Sequence, residues 1–424
     1  MTATETTLDP LVKRIFLGFG FSALGSGLTM PFLYVYLSEV RGIPTATVGL
    51  LFAFMGLLGF LSAPVAGSLI DRFGPRPVMM AGLFVEALSV YSIGHVSTVP
   101  QAFAVATVMT VAQVGIWPAS TAMLTRLIPE SQRQRVYGIQ FMLLNAGLGV
   151  GGVISALIID TRSVESFQRL YLLDGLSYAG YIVVLLTLPA ATGALVRTEE
   201  TDASLEQPSW RLVLRDTVLL RVIGLSILAV TFGYAQFEAG FAAYTVDVAD
   251  IPARALGLAY AANTGAIVVG QMITLRLIGG RRRSSLLALC TAIWAVSWVV
   301  IVASDAVDGW VAIAAIVLGL GLFGVGETLW APIAPAIVND LAREDMRGRY
   351  NALSGMTWTV ATIIGPAFAG LLIGHGHGHI WAVTVIVGML AASALFWRLR
   401  AHLTDAQDGL GLESPAETSP TPVA

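Results

Sequence analysis

Along most of the chain, apolar residues run on for about twenty positions at a time, neither alternating nor confined to one helical face. A run of about 20 mostly apolar residues is what a helix needs to cross a ~30 Å hydrocarbon layer. Twelve such runs are legible, at 15–37, 48–70, 77–96, 101–127, 137–159, 170–188, 218–244, 255–278, 285–304, 311–338, 351–373 and 380–397. Lipid offers no water to satisfy an open strand, so continuous runs predict helices. The expected fold is an all-α membrane protein with twelve transmembrane helices.

The polar remainder divides these spans. Residues 189–217, with Arg197, Glu199, Glu200, Asp202, Glu206 and Pro208, form the one long charged segment between spans. It separates a six-helix bundle at 15–188 from a second at 218–397, with tails at 1–14 and 398–424. The last tail is rich in Pro, Ser and Thr and is expected to be disordered. The first span follows Lys13 and Arg14 but is too long and too Gly-rich for a signal-peptide core, so it is expected to be a retained helix.

Composition agrees with this reading. Of 424 residues, 56% are hydrophobic and 12% charged, half the charge of an average soluble domain. Mean hydropathy is +0.76. A net charge of −3 carries no basic bias, so nucleic acid is not an expected partner. One cysteine, Cys290, excludes an internal disulfide and a Cys-rich metal site. Basic residues set the orientation. Only Arg41, Arg162, Arg169 and Arg254 of the 24 fall on one side of the predicted topology. The other 20 share the side of both termini, which is therefore expected to be cytoplasmic, with the chain in a plasma membrane such as the bacterial inner membrane.

The two halves resemble each other. A shift of 214 residues places Pro118 on Pro332, Glu130 on Glu344, Arg133 on Arg347, Arg135 on Arg349 and Gly151 on Gly365. Gly67 and Gly270 align at a shift of 203. Two parallel six-helix repeats suit a transporter with its site between the halves.

The loop between spans 2 and 3 reads Gly67-Ser68-Leu69-Ile70-Asp71-Arg72-Phe73-Gly74-Pro75-Arg76. Gly67 would permit close helix contact, Gly74 a sharp turn, and Arg72 and Arg76 would hold the loop inside. Asp71, an acid among arginines, suggests an ion pair, for which Arg126 at the end of span 4 is the candidate; a 214 shift puts Asp340 at the matching place of span 10. The loop resembles the G-x-L-x-D-R-x-G-x-R signature of the major facilitator superfamily at every defined position. Gly326-Glu327 through Trp330 and Pro332, Arg347-Gly348-Arg349-Tyr350, and Gln236-Phe237-Glu238 are similar to the twelve-helix drug/proton antiporter branch. Thr110 and Gln113 stand where that branch carries an arginine, and Gly151-Gly152 where it carries Gly-Pro. The resemblance implies two pseudo-symmetric bundles whose helices 1, 4, 7 and 10 line a cavity.

Three acids fall well inside predicted spans: Glu86, Glu238 and Glu327. Charge at mid-bilayer costs about 2.5–3.5 kcal/mol on insertion scales, and such residues face cavities or carry protons. The resemblance places Glu238 and Glu327 on cavity helices as proton-coupling residues, whereas Glu86 reads as a neutral acid bonded to a neighbouring helix. Tyr34, Trp117, Asn145, Tyr234, Gln236, Asn263 and Trp330 could line a pocket for an amphipathic ligand or simply join helices. Pro31, Pro64, Pro118 and Pro332 are expected to mark bends, and glycines 147–152 a close approach to helix 8 or 11. His375, His377 and His379 suit a solvated turn better than a metal site, with no acid nearby in sequence. No enzyme motif, metal site or cofactor is indicated. The expected partners are protons, a small-molecule substrate and the lipid bilayer, and the expected state is a monomer. The leading expectation is proton-coupled export of small amphipathic or cationic compounds. The alternative is an exporter or facilitator of one metabolite, such as a sugar, amino acid or siderophore.

Overall fold

The computed structural model describes residues 8–128, 133–189, 210–342 and 346–410. The repeated Glu130 and Glu344, most of the linker and residues 411–424 lie outside the described residues. Twelve helices are long and apolar enough to cross a membrane: α1 Pro10–Val40, α2 Thr45–Phe73, α3 Pro75–Ile93, α4 Val99–Leu127, α5 Val136–Ile158, α6 Val164–Leu186, α7 Thr217–Gln236, α8 Arg254–Leu277, α9 Arg283–Ala306, α10 Gly309–Leu341, α11 Arg349–Gly374 and α12 Gly378–His402. With an even number of long helices, the start of α1 and the end of α12 lie on one face of the bundle, here called the terminal face.

Breaks occur where the sequence cannot sustain the helical ladder. At Pro31, α1 tightens to a 3-10 turn over Met30–Phe32, because proline has no N–H to donate. A single turn at Gly115 interrupts α4 three residues before Pro118. Beyond Phe232, α7 becomes a 3-10 turn, Tyr234–Gln236, followed by wide turns at Phe237–Phe241 and Tyr244–Val248. At Pro64 and Pro332, by contrast, the helices run on without interruption.

The repeat is visible in the packing. In the first half α1 packs on α5 and α6, α2 on α4, and α3 on α4 and α6. In the second half α7 packs on α11 and α12, α8 on α10, and α9 on α10 and α12. Each contact has its counterpart six helices later. Gly151 of α5 lies against Gly27 of α1, and its repeat mate Gly365 of α11 lies against Ala235 of the α7 helix.

Two seams join the halves, α2 with α11 and α5 with α8. Both close away from the terminal face. A Cβ on Gly49 would sit 2.6 Å from the Cα of Gly370, and one on Gly257 would sit 2.8 Å from the Cβ of Ala156. Only glycine allows such backbone approach. Toward the terminal face, a Cβ added at Gly67 of α2, Gly138 of α5 or Gly355 of α11 would meet no described residue within 4 Å. Among the described residues, the halves therefore make their closest backbone approaches toward the opposite face.

Two expectations need correction. Helix α6 begins at Val164 rather than 170, because Ser163 accepts a hydrogen bond from the Ser166 N–H and caps a polar first turn. Asp174 consequently lies ten residues inside the helix, 2% exposed. The tail expected to be disordered from 398 is ordered to Leu410. Asp408 accepts from the N–H and hydroxyl of Ser284 at 2.7 and 2.9 Å, and Arg282 reaches Asp405 and Asp408. The segment thus caps the start of α9.

Candidate functional site

The break in α7 builds the centre of the site. Tyr234 sits at the break beside Gly233, with Trp294, Phe323, Trp358 and Phe237 around its ring at centroid distances of 4.8–5.9 Å. Trp294 stacks flat on Phe323 at 4.6 Å. Into this aromatic wall α10 projects Glu327, 6% exposed. Its Oε1 accepts a 2.9 Å hydrogen bond from Asn263 Nδ2 of α8, and the Tyr234 hydroxyl interacts with the same carboxyl. Asn263 also donates to the Leu320 carbonyl at 3.3 Å, so the amide is fixed before it meets the acid. Among the described residues no arginine, lysine or histidine pairs with Glu327. A buried acid held by neutral donors in an aromatic box can exchange a proton or receive an organic cation.

The other candidates separate. Glu238 lies in the wide turn Phe237–Phe241, and its side chain is outside the described residues. Trp117 of α4 is 45% exposed and makes an edge contact with Phe19 of α1, so it offers a free aromatic face. Asn145 is half-buried and bonds the Phe141 carbonyl of its own helix at 2.9 Å. Three candidates do not line a cavity. Gln236 is fully buried, donating to the Thr231 carbonyl and accepting from Trp381 Nε1, both at 2.7 Å, and so pins the α7 break to α12. Trp330 is buried between Trp294 and Phe396. The Tyr34 hydroxyl donates to Asp247 across the halves, and Thr45 donates to the same carboxylate at 2.7 Å. Tyr34 therefore belongs to a latch at the opposite face. Sequence reading missed this latch because span 7 was ended at 244, which left Asp247 in a loop.

The signature loop has its own geometry. Gly74 turns at φ 87°, a conformation that favours glycine. Arg76 donates to the carbonyls of Leu185 and Pro189 at 2.9 Å, closing the end of α6. The Arg72 guanidinium lies 5.2 Å from the centroid of the Phe73 ring. Gly67 makes no close helix contact here. Asp71 is exposed, and among the described residues it makes no ion pair with Arg126. In the second half the corresponding place is occupied: Arg283 pairs with Asp340. The histidine loop does have an acid close in space, Asp305, 3.9 Å from His379 Nδ1. Glu86, expected to bond to a neighbouring helix, leaves Oε2 without a partner.

A family model for the Major Facilitator Superfamily matches residues 15–331 and 280–421. The uncharacterized MFS-type transporter YqjV of Bacillus subtilis (strain 168) is 24% identical over 371 residues, 86% of this chain and 87% of that protein. The quinolone resistance protein NorA of Staphylococcus aureus (strain MRSA252) is 24% identical over 357 residues, covering 82% and 86%. With NorA of strain Mu50 the match spans 61% of that protein's length. Among solved structures, the peptide transporter POT superposes with a TM-score of 0.76 at 13% identity, covering 92% of this chain and 94% of that one. A D-xylose-proton symporter gives 0.71 at 13% identity, covering 92% and 98%. At such identities the structures speak for the fold alone.

Proposed function

This chain belongs to the Major Facilitator Superfamily of membrane transporters, and from that premise we propose that it exports small amphipathic or cationic compounds in exchange for protons. The observation that carries this reading is Glu327, a buried carboxyl without a cationic partner, set in an aromatic wall by Asn263 and Tyr234. The likeness to quinolone resistance proteins supports efflux as the direction.

With the basic terminal face in the cytoplasm, the conformation described here faces inward. An organic cation entering from that side meets Trp117 and Phe19 on one half and Tyr234 and Trp358 on the other. Ionised Glu327 attracts it, and the low dielectric of the aromatic wall strengthens that attraction. Rocking of the halves about the two glycine seams then opens the opposite face. Protons arriving there neutralise Glu238, on the far side of the α7 break, and then Glu327, so the cation loses its counter-charge and leaves. The membrane potential adds about 2.3 kcal/mol per charge per 100 mV to inward proton movement, which drives uphill export. Asp71 and Arg126 serve the alternate state, pairing when the cytoplasmic side closes.

Efflux of a panel of quinolones and organic cations from cells stripped of their own pumps tests this reading. Export that collapses with a proton uncoupler is the expected result. Export indifferent to the uncoupler would move the reading to a facilitator of one defined metabolite.

A further inference from the structure

A second group of buried acids lies in the first half, outside the aromatic site. Glu86 of α3 is 1% exposed, and its Oε2 has no hydrogen-bond partner. Across the crossing with α6 stands Asp174, 2% exposed. The helices cross at this level: a Cβ on Gly175 would lie 2.9 Å from the carbonyl oxygen of Ala87. The surroundings are hydroxyls. Thr29 of α1 donates to Asp174 Oδ2 at 2.6 Å, and Ser177 reaches Oδ1 at 3.4 Å. Tyr178 interacts with both carboxyls and shares a 3.0 Å hydrogen bond with Ser26 of α1. The Tyr171 hydroxyl is buried without a partner, within electrostatic reach of Asp174. Among the described residues no arginine, lysine or histidine pairs with either acid.

Two ionised carboxylates in such a place repel each other without a counter-ion, so a proton bound to either relieves the repulsion. We propose that Glu86 and Asp174 form a second proton-binding site, on the first half and apart from the substrate site, that takes up and releases one proton during the transport cycle. On uptake a proton from water bonds to a carboxylate oxygen and makes a carboxylic acid; on release it returns to water and the carboxylate is restored. Asp174 is already engaged by Thr29, so the unpartnered Glu86 Oε2 is the open position.

The surroundings connect the site toward the opposite face and give proton binding a consequence. Tyr171 lies 5.1 Å from Tyr36 between ring centroids, and Arg41, half-buried near the opposite face, donates to the Tyr36 hydroxyl at 2.7 Å. On the other side, Tyr178 leads to half-buried Ser26. Thr29 immediately precedes the 3-10 break of α1, and the segment beyond that break carries Tyr34 to its latch on Asp247. Emptying the site places a second negative charge beside Thr29 and loosens the α1 segment that holds the opposite face shut. This inference depends on neither the substrate class nor Glu327.

The test uses the full chain in lipid nanodiscs, without substrate, carrying Glu238→Gln and Glu327→Gln so that the cavity acids are silent. Infrared difference spectra across a pH titration follow the neutral-carboxyl C=O band. Spin labels at Arg162→Cys and His375→Cys, both exposed at the opposite face, follow the separation of the halves; Cys290 is buried. The expected result is a neutral-carboxyl band that vanishes as pH rises, with the labels moving apart over the same range. Both changes should be lost in Glu86→Gln/Asp174→Asn, whose amides mimic neutral acids and preserve the fold. Asp174→Asn alone should leave a carboxyl band titrating at a shifted midpoint. A difference spectrum unchanged by the double substitution, or a band from the pair that persists at every pH, overturns the proposal. So does a label separation that ignores pH.

Discussion

The two halves share a backbone plan but hold their acids differently. In the second half Glu327 stands in an aromatic wall, oriented by an amide and a phenol. The first half keeps Glu86 and Asp174 buried on α3 and α6 beside α1, and carries Trp117 exposed with its edge against Phe19. At the terminal face the contrast reverses. The second half has its ion pair made, Arg283 with Asp340, whereas Asp71 of the first half is exposed and unpaired. The repeat supplies symmetric seams, and the buried acids stand at positions where the two halves have diverged.

If the seams are the symmetric part, damaging either should hurt equally and most. Gly49→Leu on the α2–α11 seam and Gly257→Leu on the α5–α8 seam each overpack a backbone contact, at a cost of about 1–3 kcal/mol to the closed opposite face. That shifts the conformational balance roughly fivefold to 150-fold toward opening, read as a wider label separation and lost transport. Tolerance of one substitution but not the other would break the symmetry argument.

The terminal face gives a sharper test of divergence. Asp71→Asn removes no pair from the open state, so it should leave expression near wild type, enrich the inward-facing population and slow transport. Arg283→Ala loses a partly exposed pair worth about 0–1 kcal/mol together with its bond to the Gln407 carbonyl. It should loosen the ordered tail, seen as faster amide hydrogen exchange over 403–410, with a smaller effect on transport. Equal effects of the two on conformation would erase the distinction.

The smallest expected effect lies in the first half's aromatic face. Trp117→Ala should weaken binding of a cationic dye by about 0.5–1 kcal/mol, the worth of an exposed cation–π contact, or a few-fold in Kd. Trp358→Ala, beside Tyr234, should cost more. Tryptophan fluorescence quenching by the dye measures both.

What was legible in the sequence follows from which rules lipid enforces. Twelve helices could be read because every crossing needs its length in apolar residues, and of the glycine run 147–152 Gly149 and Gly152 do approach α8, whereas Gly147 and Gly151 lie against α1. Facing was not legible. Gln236 and Trp330 have the residue types of a binding site, yet hydrogen bonds to α12 and packing against Phe396 bury them. Asp174 escaped notice because Glu165 and Arg169 made the first turns of α6 read as loop. The ordered tail was hidden because Asp408 acts as a cap on α9, more than a hundred residues away. Tyr34 and Asp247, 213 residues apart, meet only across the two halves, which no local pattern reveals.

The central claim is that Glu327 couples export to protons, and proteoliposomes test it directly. With the transporter reconstituted and a cationic dye on the cytoplasm-equivalent side, an imposed pH gradient should drive dye accumulation by the wild type against its concentration gradient. Glu327→Gln should bind neutral ligands yet fail to accumulate the dye, whatever the gradient. Gradient-driven accumulation by Glu327→Gln at the wild-type rate would contradict the account.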